Sequence, residues 1–272
     1  MSVETNDWLL ACDVDDTLVP TKGHSTAERE AGAQALDTLR AAIAKERQNR
    51  RVYFGVATGL TIPNLLDYER RLPQFAAAAA IMDFAITSVG TVVSRRTTHG
   101  WQPVVDWPPH TGWNRGAIAE VVAGHAGVEV QPPPAQDTYK LSYFILGESA
   151  AQQATVDTIN AQLAQLKLPT QVIYSSQRFL DFLPKGVDKG TGFEHMVGTM
   201  AAGAFFTVMA GDSLNDLAAL RTADLAILPG NAHDELRRQA GCTIPPEQLY
   251  QATGMHAAGV LEGLREHGLV TS

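Results

Sequence analysis

Near the N-terminus, Asp13-Val14-Asp15-Asp16-Thr17 sets two aspartates two positions apart directly after the apolar run Trp8-Leu9-Leu10-Ala11-Cys12. An apolar run that ends in acidic residues reads as a buried strand delivering carboxylates at its C-terminal end. Three further segments follow expected strands or open expected helices: Thr58-Gly59, Lys189-Gly190, and Gly211-Asp212-Ser213-Leu214-Asn215-Asp216. In an open α/β sheet the C-terminal strand ends converge on one crevice, so these segments can meet although they are far apart in sequence.

In-line attack on a phosphoryl group needs a nucleophile, neutralisation of negative charge and a proton for the leaving oxygen. Asp13 is the candidate nucleophile, since a carboxylate can form an acyl phosphate that water later hydrolyses. A carboxylate approaching a phosphate dianion meets repulsion of about 4 kcal/mol per unit-charge pair at about 4 Å and an effective dielectric near 20, which calls for a cation. Mg²⁺ prefers oxygen ligands and keeps several waters, which suits Asp13, the main-chain carbonyl of Asp15 and the Asp212 carboxylate, with Asp216 supporting them from one helical turn away. Asp15 is placed to give a proton to the departing alcohol and take one from the attacking water. Thr58, the amide of Gly59, Lys189 and Asn215 are candidates for binding the phosphoryl oxygens. Singly, these are a strand-end turn, a solvated lysine and a helix cap; together and in this order they point to phosphoryl transfer.

Other patterns are set aside. Lys189-Gly190-Thr191 is not a nucleotide-binding P-loop, because Gly186 does not complete the required spacing. The eight histidines show no metal-ligand spacing along the chain, and His110, His125 and His195 are expected to be ordinary surface or core residues. Cys12 alternates to the opposite side of its strand from Asp13 and is expected in the core. Cys12 and Cys242 are the only cysteines; they make no disulfide framework and suit a reducing cytoplasm. Residues Met1 to Leu10 carry no secretory pattern, and the alanine run Ala76 to Ala80 is too short to span a bilayer. The formal net charge of −8 argues against nucleic acid or an anionic membrane as the main partner.

The elements that must position these residues alternate. After Ser25-Thr26-Ala27-Glu28, which has capping-box spacing, Leu36, Leu39 and Ile43 form a helical stripe. Arg51 to Ala57 and Phe84 to Ser88 read as further strands, and strands separated by helices imply parallel βαβ units. The middle changes character. Trp101 to Pro109 is rich in Trp and Pro, and Gln131-Pro132-Pro133-Pro134 reads as a loop. Around them the spacing predicts a helix over 114–126, strands over 128–130 and 139–146, a helix over 150–166 and strands over 171–175 and 179–183. This repeated helix-strand-strand unit suits a small antiparallel sheet covered on one face by two helices. From Gly190 the rhythm returns with a strand over Phe205 to Ala210, a helix from about Leu214, a short strand at Leu225-Ala226-Ile227 and helices to the end. The expected fold is therefore α/β: a doubly wound, Rossmann-like parallel-sheet core over residues 1–93 and 184–272, with a smaller α+β cap inserted over 94–183.

The four motifs resemble, in the same order, those of the haloacid dehalogenase superfamily. Within it, Ala57-Thr58-Gly59, Ile86 to Thr91, Lys140-Leu141-Ser142-Tyr143, Ser175-Ser176 and Leu180 to Pro184 are similar to the sucrose-phosphate phosphatase branch. That resemblance implies a cap between the second and third motifs, a Mg²⁺ requirement, and a sugar phosphate, often of a disaccharide, as the small-molecule substrate. The sequence departs from the branch at Leu60, where an arginine usually follows Thr-Gly, and at Val92, where an acidic residue is usual. Both departures leave the phosphate chemistry intact and bear on the choice of sugar. In the cap, Lys140 and Ser142 share a strand face by the two-residue period and are candidates for meeting sugar hydroxyls or a second anionic group. The expected activity is a phosphomonoesterase. A hexose phosphomutase of the same superfamily, or a non-catalytic sugar-phosphate-binding partner of a glycosyltransferase, are the alternatives.

Overall fold

The computed structural model describes residues 7–21, 23–104, 106–107, 112–175, 177–200 and 205–271. His110, Ser176 and the first six residues, on which expectations were placed above, lie outside them.

The first strand, β1 (Trp8–Cys12), is buried along its whole length. Its side chains alternate: Trp8, Leu10 and Cys12 enter one apolar cluster, Leu9 and Ala11 the other. A strand covered on both faces has no polar side to show, which is why it reads as one continuous apolar run. Helix α1 (Thr26–Glu46) starts on the expected capping box, with the Glu28 amide donating to Ser25 Oγ and the Ser25 amide donating to Glu28. Strand β2 (Val52–Ala57), helices α2 (Ile62–Arg71) and α3 (Pro73–Ala79) and strand β3 (Phe84–Thr87) follow.

The chain then departs from the expected boundary at residue 94. Strands β4 (Val92–Thr97) and β5 (Gly100–Pro103) pair antiparallel to β3 and to each other and extend the core sheet, so residue 94 lies inside a core strand. Val93, Val104 and Trp107 pack into the core cluster on that face, which holds the segment to the core.

The cap comprises α4 (Arg115–Ala123), β6 (Val128–Val130), β7 (Leu141–Ile145), α5 (Ser149–Gln165), β8 (Thr170–Ser175) and β9 (Phe179–Pro184). Its four strands form an antiparallel sheet in the order β6-β7-β9-β8. Leu141, Tyr143 and Ile145 of β7 and Leu180 and Phe182 of β9 pack on α4 and α5 through Ile118, Val122, Val156, Ile159 and Leu163. The alternate positions Ser142 and Asp181, cross-strand partners, point away from that apolar layer. The triple-proline segment holds a single 3-10 turn, Pro133–Ala135, where the missing proline amides cost no internal bond.

The core resumes with α6 (Lys189–Met200), β10 (Phe206–Ala210), α7 (Leu217–Thr222), β11 (Leu225–Leu228), α8 (Asp234–Thr243), β12 (Leu249–Gln251) and α9 (His256–Glu266). Two details differ from the sequence reading. A 3-10 turn at Leu214–Asp216 precedes α7, and the three-residue strand β12 interrupts the terminal helices. The core sheet runs β12-β11-β10-β1-β2-β3-β4-β5, parallel from β12 to β3. Residues of α1, α2, α3 and α9 cover one face and those of α6, α7 and α8 the other, which is the doubly wound arrangement.

Candidate active site

From β1 the chain proceeds outward to β2 and β3 on one side and, after the cap, to β10, β11 and β12 on the other. Ligands in such sheets bind at the C-terminal strand ends where this order reverses, here between β1 and β10. Asp13 follows β1 directly, and its amide donates to the Ala210 carbonyl of β10 at 2.9 Å. Cys12 is in register with Val56 and with Ala210, so Asp13, Thr58 and Asp212 emerge from three neighbouring strands at the same level.

Lys189, the first residue of α6, is fully buried, with Nζ 3.1 Å from Asp13 Oδ1 and 2.6 Å from Asp216 Oδ1. It also donates to Asn215 Oδ1 at 3.1 Å. Asp216 reaches back because residue 211 is glycine: a Cβ there would stand 2.5 Å from Asp216 Cβ. The other Asp216 oxygen accepts from the Ser213 amide at 3.1 Å, capping the 3-10 turn. The start of α6 is set by Gly90, whose φ of +97° and missing Cβ let it lie against the Asp188 carbonyl, which a Cβ would approach to 2.0 Å. Thr17 donates to Asp212 Oδ1 at 3.0 Å, giving the last residue of the first motif a contact with the fourth.

Carboxylate oxygens of Asp13, Asp212 and Asp216 lie within 4.8 Å of one another. Desolvation, reinforced by the charges of Asp216 and neighbouring carboxylates, holds Asp13 and Asp212 above the usual carboxylate range despite the nearby Lys189. At Lys189 desolvation acts to lower the pKa, but Asp13 and Asp216 together outweigh it and hold the ammonium above lysine's usual value. Both shifts are upward because one ammonium faces three carboxylates: the lysine is over-compensated, and the positive charge is too little for Asp13 and Asp212. A crowded all-oxygen donor set short of positive charge fits Mg²⁺ and does not fit a soft metal.

Tyr68 of α2 donates its hydroxyl to Asp15 Oδ1 at 2.6 Å. Burial, with the Asp15 charge beside it, pushes the phenol well above tyrosine's ordinary pKa, so it stays a donor. Thr58 is fully buried, its Oγ1 accepting from the Leu60 amide at 3.2 Å. A Cβ on Gly59 would meet Val89 Cγ2 at 3.9 Å, an ordinary van der Waals contact, so no close approach requires glycine there.

The polar face of the cap sheet meets the same turn. Lys140 Nζ donates to the Gly59 carbonyl at 3.0 Å and lies 3.7 Å from Asp181 Oδ1. Ser142 Oγ donates to Asp181 at 2.5 Å and is fully buried, so this pair is not a solvated strand face. Two more bonds join cap and core: Ser88 Oγ to Asp137 Oδ2 at 2.7 Å and Thr61 Oγ1 to the Pro134 carbonyl at 2.6 Å.

The fold thus brings together Asp13, Lys189, Asp212, Asn215 and Asp216, sets Thr58 on the neighbouring strand end, and leaves Lys140 and Ser142 in the cap above the Gly59 turn. Tyr68, Asp137 and Asp181 were not singled out from the sequence. Their contacts cross 53, 49 and 39 positions, and no local pattern announces them. Among the histidines, His125 pairs with Gln162 and His195 stacks on Trp107, both structural. His24 and His256, from opposite ends of the chain, meet at Asp16, a grouping that spacing along the sequence could not show.

Residues 6–268 match the model of the family described as sucrose-6F-phosphate phosphohydrolase. The chain belongs to this family. It is a phosphatase of the haloacid dehalogenase superfamily. It is 31% identical over 285 residues to a haloacid dehalogenase-like hydrolase of Nitrosococcus oceani, covering 94% of this chain and 70% of that one. It is 31% identical over 188 residues to the mannosylfructose-phosphate phosphatase of Agrobacterium fabrum, covering 69% and 73% respectively. Among solved structures it superposes on a sucrose-phosphatase from Synechocystis, determined with sucrose and phosphate, with a TM-score of 0.78 at 23% identity over 97% of this chain and 99% of that one. No described helix is long and apolar enough to cross a membrane.

Proposed function

We propose that this phosphatase is Mg²⁺-dependent and hydrolyses a sugar phosphate, sucrose 6-phosphate or a related disaccharide or glycosyl phosphate, through an aspartyl phosphate on Asp13. The observation that carries this reading is the Lys189 ammonium held between Asp13 and Asp216 where β1 and β10 diverge, with Asp212 in the same carboxylate group.

Asp13 Oδ attacks phosphorus while the bond to the sugar oxygen breaks, and protonated Asp15 gives that oxygen its proton. Asp15 then takes a proton from water, which attacks the acyl phosphate and frees Asp13 and inorganic phosphate. Tyr68, which donates to Asp15 Oδ1 at 2.6 Å, orients the carboxyl group that moves this proton. Lys189, Thr58, the Gly59 amide and Asn215 bind the phosphoryl oxygens as charge builds on them. Asp13, Asp212 and the Asp15 carbonyl would hold Mg²⁺, with Asp216 behind them. When bound, the ion neutralises charge between the nucleophile and the phosphoryl group.

In the cap, Lys140 and Ser142 are the residues assigned to the sugar, Lys140 directly and Ser142 through the Asp181 carboxylate it orients. The relatives named for disaccharide phosphates support that substrate class. The test is phosphate release with Mg²⁺ across sucrose 6-phosphate, other disaccharide phosphates, glycosyl phosphoglycerates and hexose phosphates. Preference for a disaccharide phosphate is the expected result. Conversion of hexose 1-phosphate to 6-phosphate without phosphate release, or no release from any of them, would remove this reading.

A further inference from the structure

Directly behind the acid/base residue the fold assembles a second group of potential ligands, different in chemistry from the first. Asp16, His24 and His256 each offer an atom within 4.8 Å of the other two. His24 Nε2 lies 3.0 Å and His256 Nε2 3.8 Å from the same oxygen, Asp16 Oδ1. Ligands about 2.0–2.1 Å from a tetrahedral ion stand about 3.3 Å apart, between those two distances. The rings meet edge to face with centroids 4.9 Å apart.

His256 carries the argument furthest. The residue is 3% exposed, and its buried Nε2 has no hydrogen-bond partner among the described residues, although it points at Asp16. A buried ring nitrogen left without a partner is a cost the fold would avoid unless a ligand completes it. The backbone supports the same geometry. Asn231 bridges the two sides, donating to the Asp16 carbonyl at 2.6 Å and accepting from the His256 amide at 2.8 Å. Thr21 orients the Asp16 carboxylate through its amide at 2.9 Å and its hydroxyl at 2.8 Å. Behind His24, the Glu28 carboxylate lies 3.9 Å from Nδ1, outside hydrogen-bond distance but on the side of the ring away from Asp16. Asp16 and His24 are partly exposed, which gives an ion a path in and room for water as the remaining ligand.

We propose that Asp16, His24 and His256 form a second dication site, for an imidazole-binding transition metal of the Zn²⁺ class rather than Mg²⁺. Two imidazoles and one carboxylate are the donors such ions take, whereas Mg²⁺ requires oxygen ligands. The site joins the loop between β1 and α1 to the first turn of α9. Asp16 is the neighbour of Asp15, so an ion there fixes the segment that carries the acid/base group; the three ligands are positioning residues, not catalytic ones.

The test is calorimetric titration of Zn²⁺ into the full chain in excess Mg²⁺, which fills the all-carboxylate group. Wild type is expected to take up one equivalent. His24→Asn and His256→Gln should each weaken uptake at least about tenfold, and Asp13→Asn should leave it in place. Co²⁺ as a spectroscopic probe should give imidazole-type visible bands in wild type that vanish in His24→Asn. Absence of Zn²⁺ uptake by wild type, uptake that survives both histidine substitutions, or uptake lost in Asp13→Asn overturns the proposal. Should the buried His256→Gln fail to fold, His24→Asn decides alone, since that ring is partly exposed and circular dichroism will report its fold.

Discussion

The strand-end site and the cap meet at the Gly59 turn but are built by different rules. At the strand ends the charged groups are nearly sealed: Asp13, Lys189, Asp212 and Asp216 are each no more than 5% exposed and each is held by a partner from another element. In the cap, Lys140, Ser142 and Asp181 form a polar group on the four-stranded sheet, and among the described residues cap and core are joined by side-chain bonds from Lys140, Ser88 and Thr61. Buried charges fixed by partners from other elements suit a chemical step common to every substrate. A polar sheet face on few contacts suits recognition, where side chains can change without disturbing the chemistry.

The sharpest way to break this contrast is Asp13→Asn. The amide is a poor nucleophile, and turnover of any phosphate ester should fall at least ~10⁴-fold. Near wild-type phosphate release would mean that the strand-end site is not where the chemistry occurs. Tyr68→Phe comes next. It removes the hydrogen bond to Asp15 and should lower kcat roughly 10- to 100-fold, from the about 1.5–3 kcal/mol of a bond to a charged group, with KM little changed. A change in KM alone would reassign Tyr68 from proton transfer to binding.

The two regions were also unequally legible in sequence. That Asp13, Lys189, Asp212 and Asp216 come together was legible because their segments follow strands or open a helix, and strand ends of a doubly wound sheet have only one place to meet. Tyr68 was not found, because nothing within α2 marks the one aromatic ring that crosses to the first loop. In the cap, elements were legible and contacts were not: the alternation of Leu141, Tyr143 and Ile145 gave the buried face, but Asp181 joins Ser142 only through strand pairing. The boundary between the regions was misplaced for a physical reason. Val92 to Thr97 carries Arg95 and Arg96 although it is paired on both sides, and the edge strand beyond it begins at Gly100 and ends at Pro103; an edge strand tolerates such ends, and the Trp- and Pro-rich stretch from Trp101 gives no strand pattern.

Lys140→Met sharpens the comparison from the cap side. On a sugar phosphate, KM should rise about tenfold and kcat should fall less, as for a contact made equally in ground and transition states. On a small aryl phosphate that does not fill the cap, both constants should stay near wild type. Equal loss on the two substrates would show that Lys140 acts on the phosphate turn through the Gly59 carbonyl instead of on the sugar.

The smallest expected effect comes from Ser88→Ala, which removes one of the bonds between the regions. Ser88 is buried at the end of β3 and donates to Asp137 Oδ2, while Asp137 Oδ1 accepts from the Thr138 amide at 2.8 Å. Asp137 is only partly buried, so water can replace the lost hydroxyl, and the net cost should be near about 1 kcal/mol, roughly fivefold in an equilibrium. If the cap engages substrate by closing on this contact, the sugar phosphate KM should rise by up to about fivefold, and aryl phosphate turnover should not move. Thermal unfolding separates this from simple destabilisation: a loss of Tm without a substrate-dependent change in KM would make the Ser88–Asp137 bond part of the scaffold and leave the Lys140 and Thr61 contacts to couple cap and core.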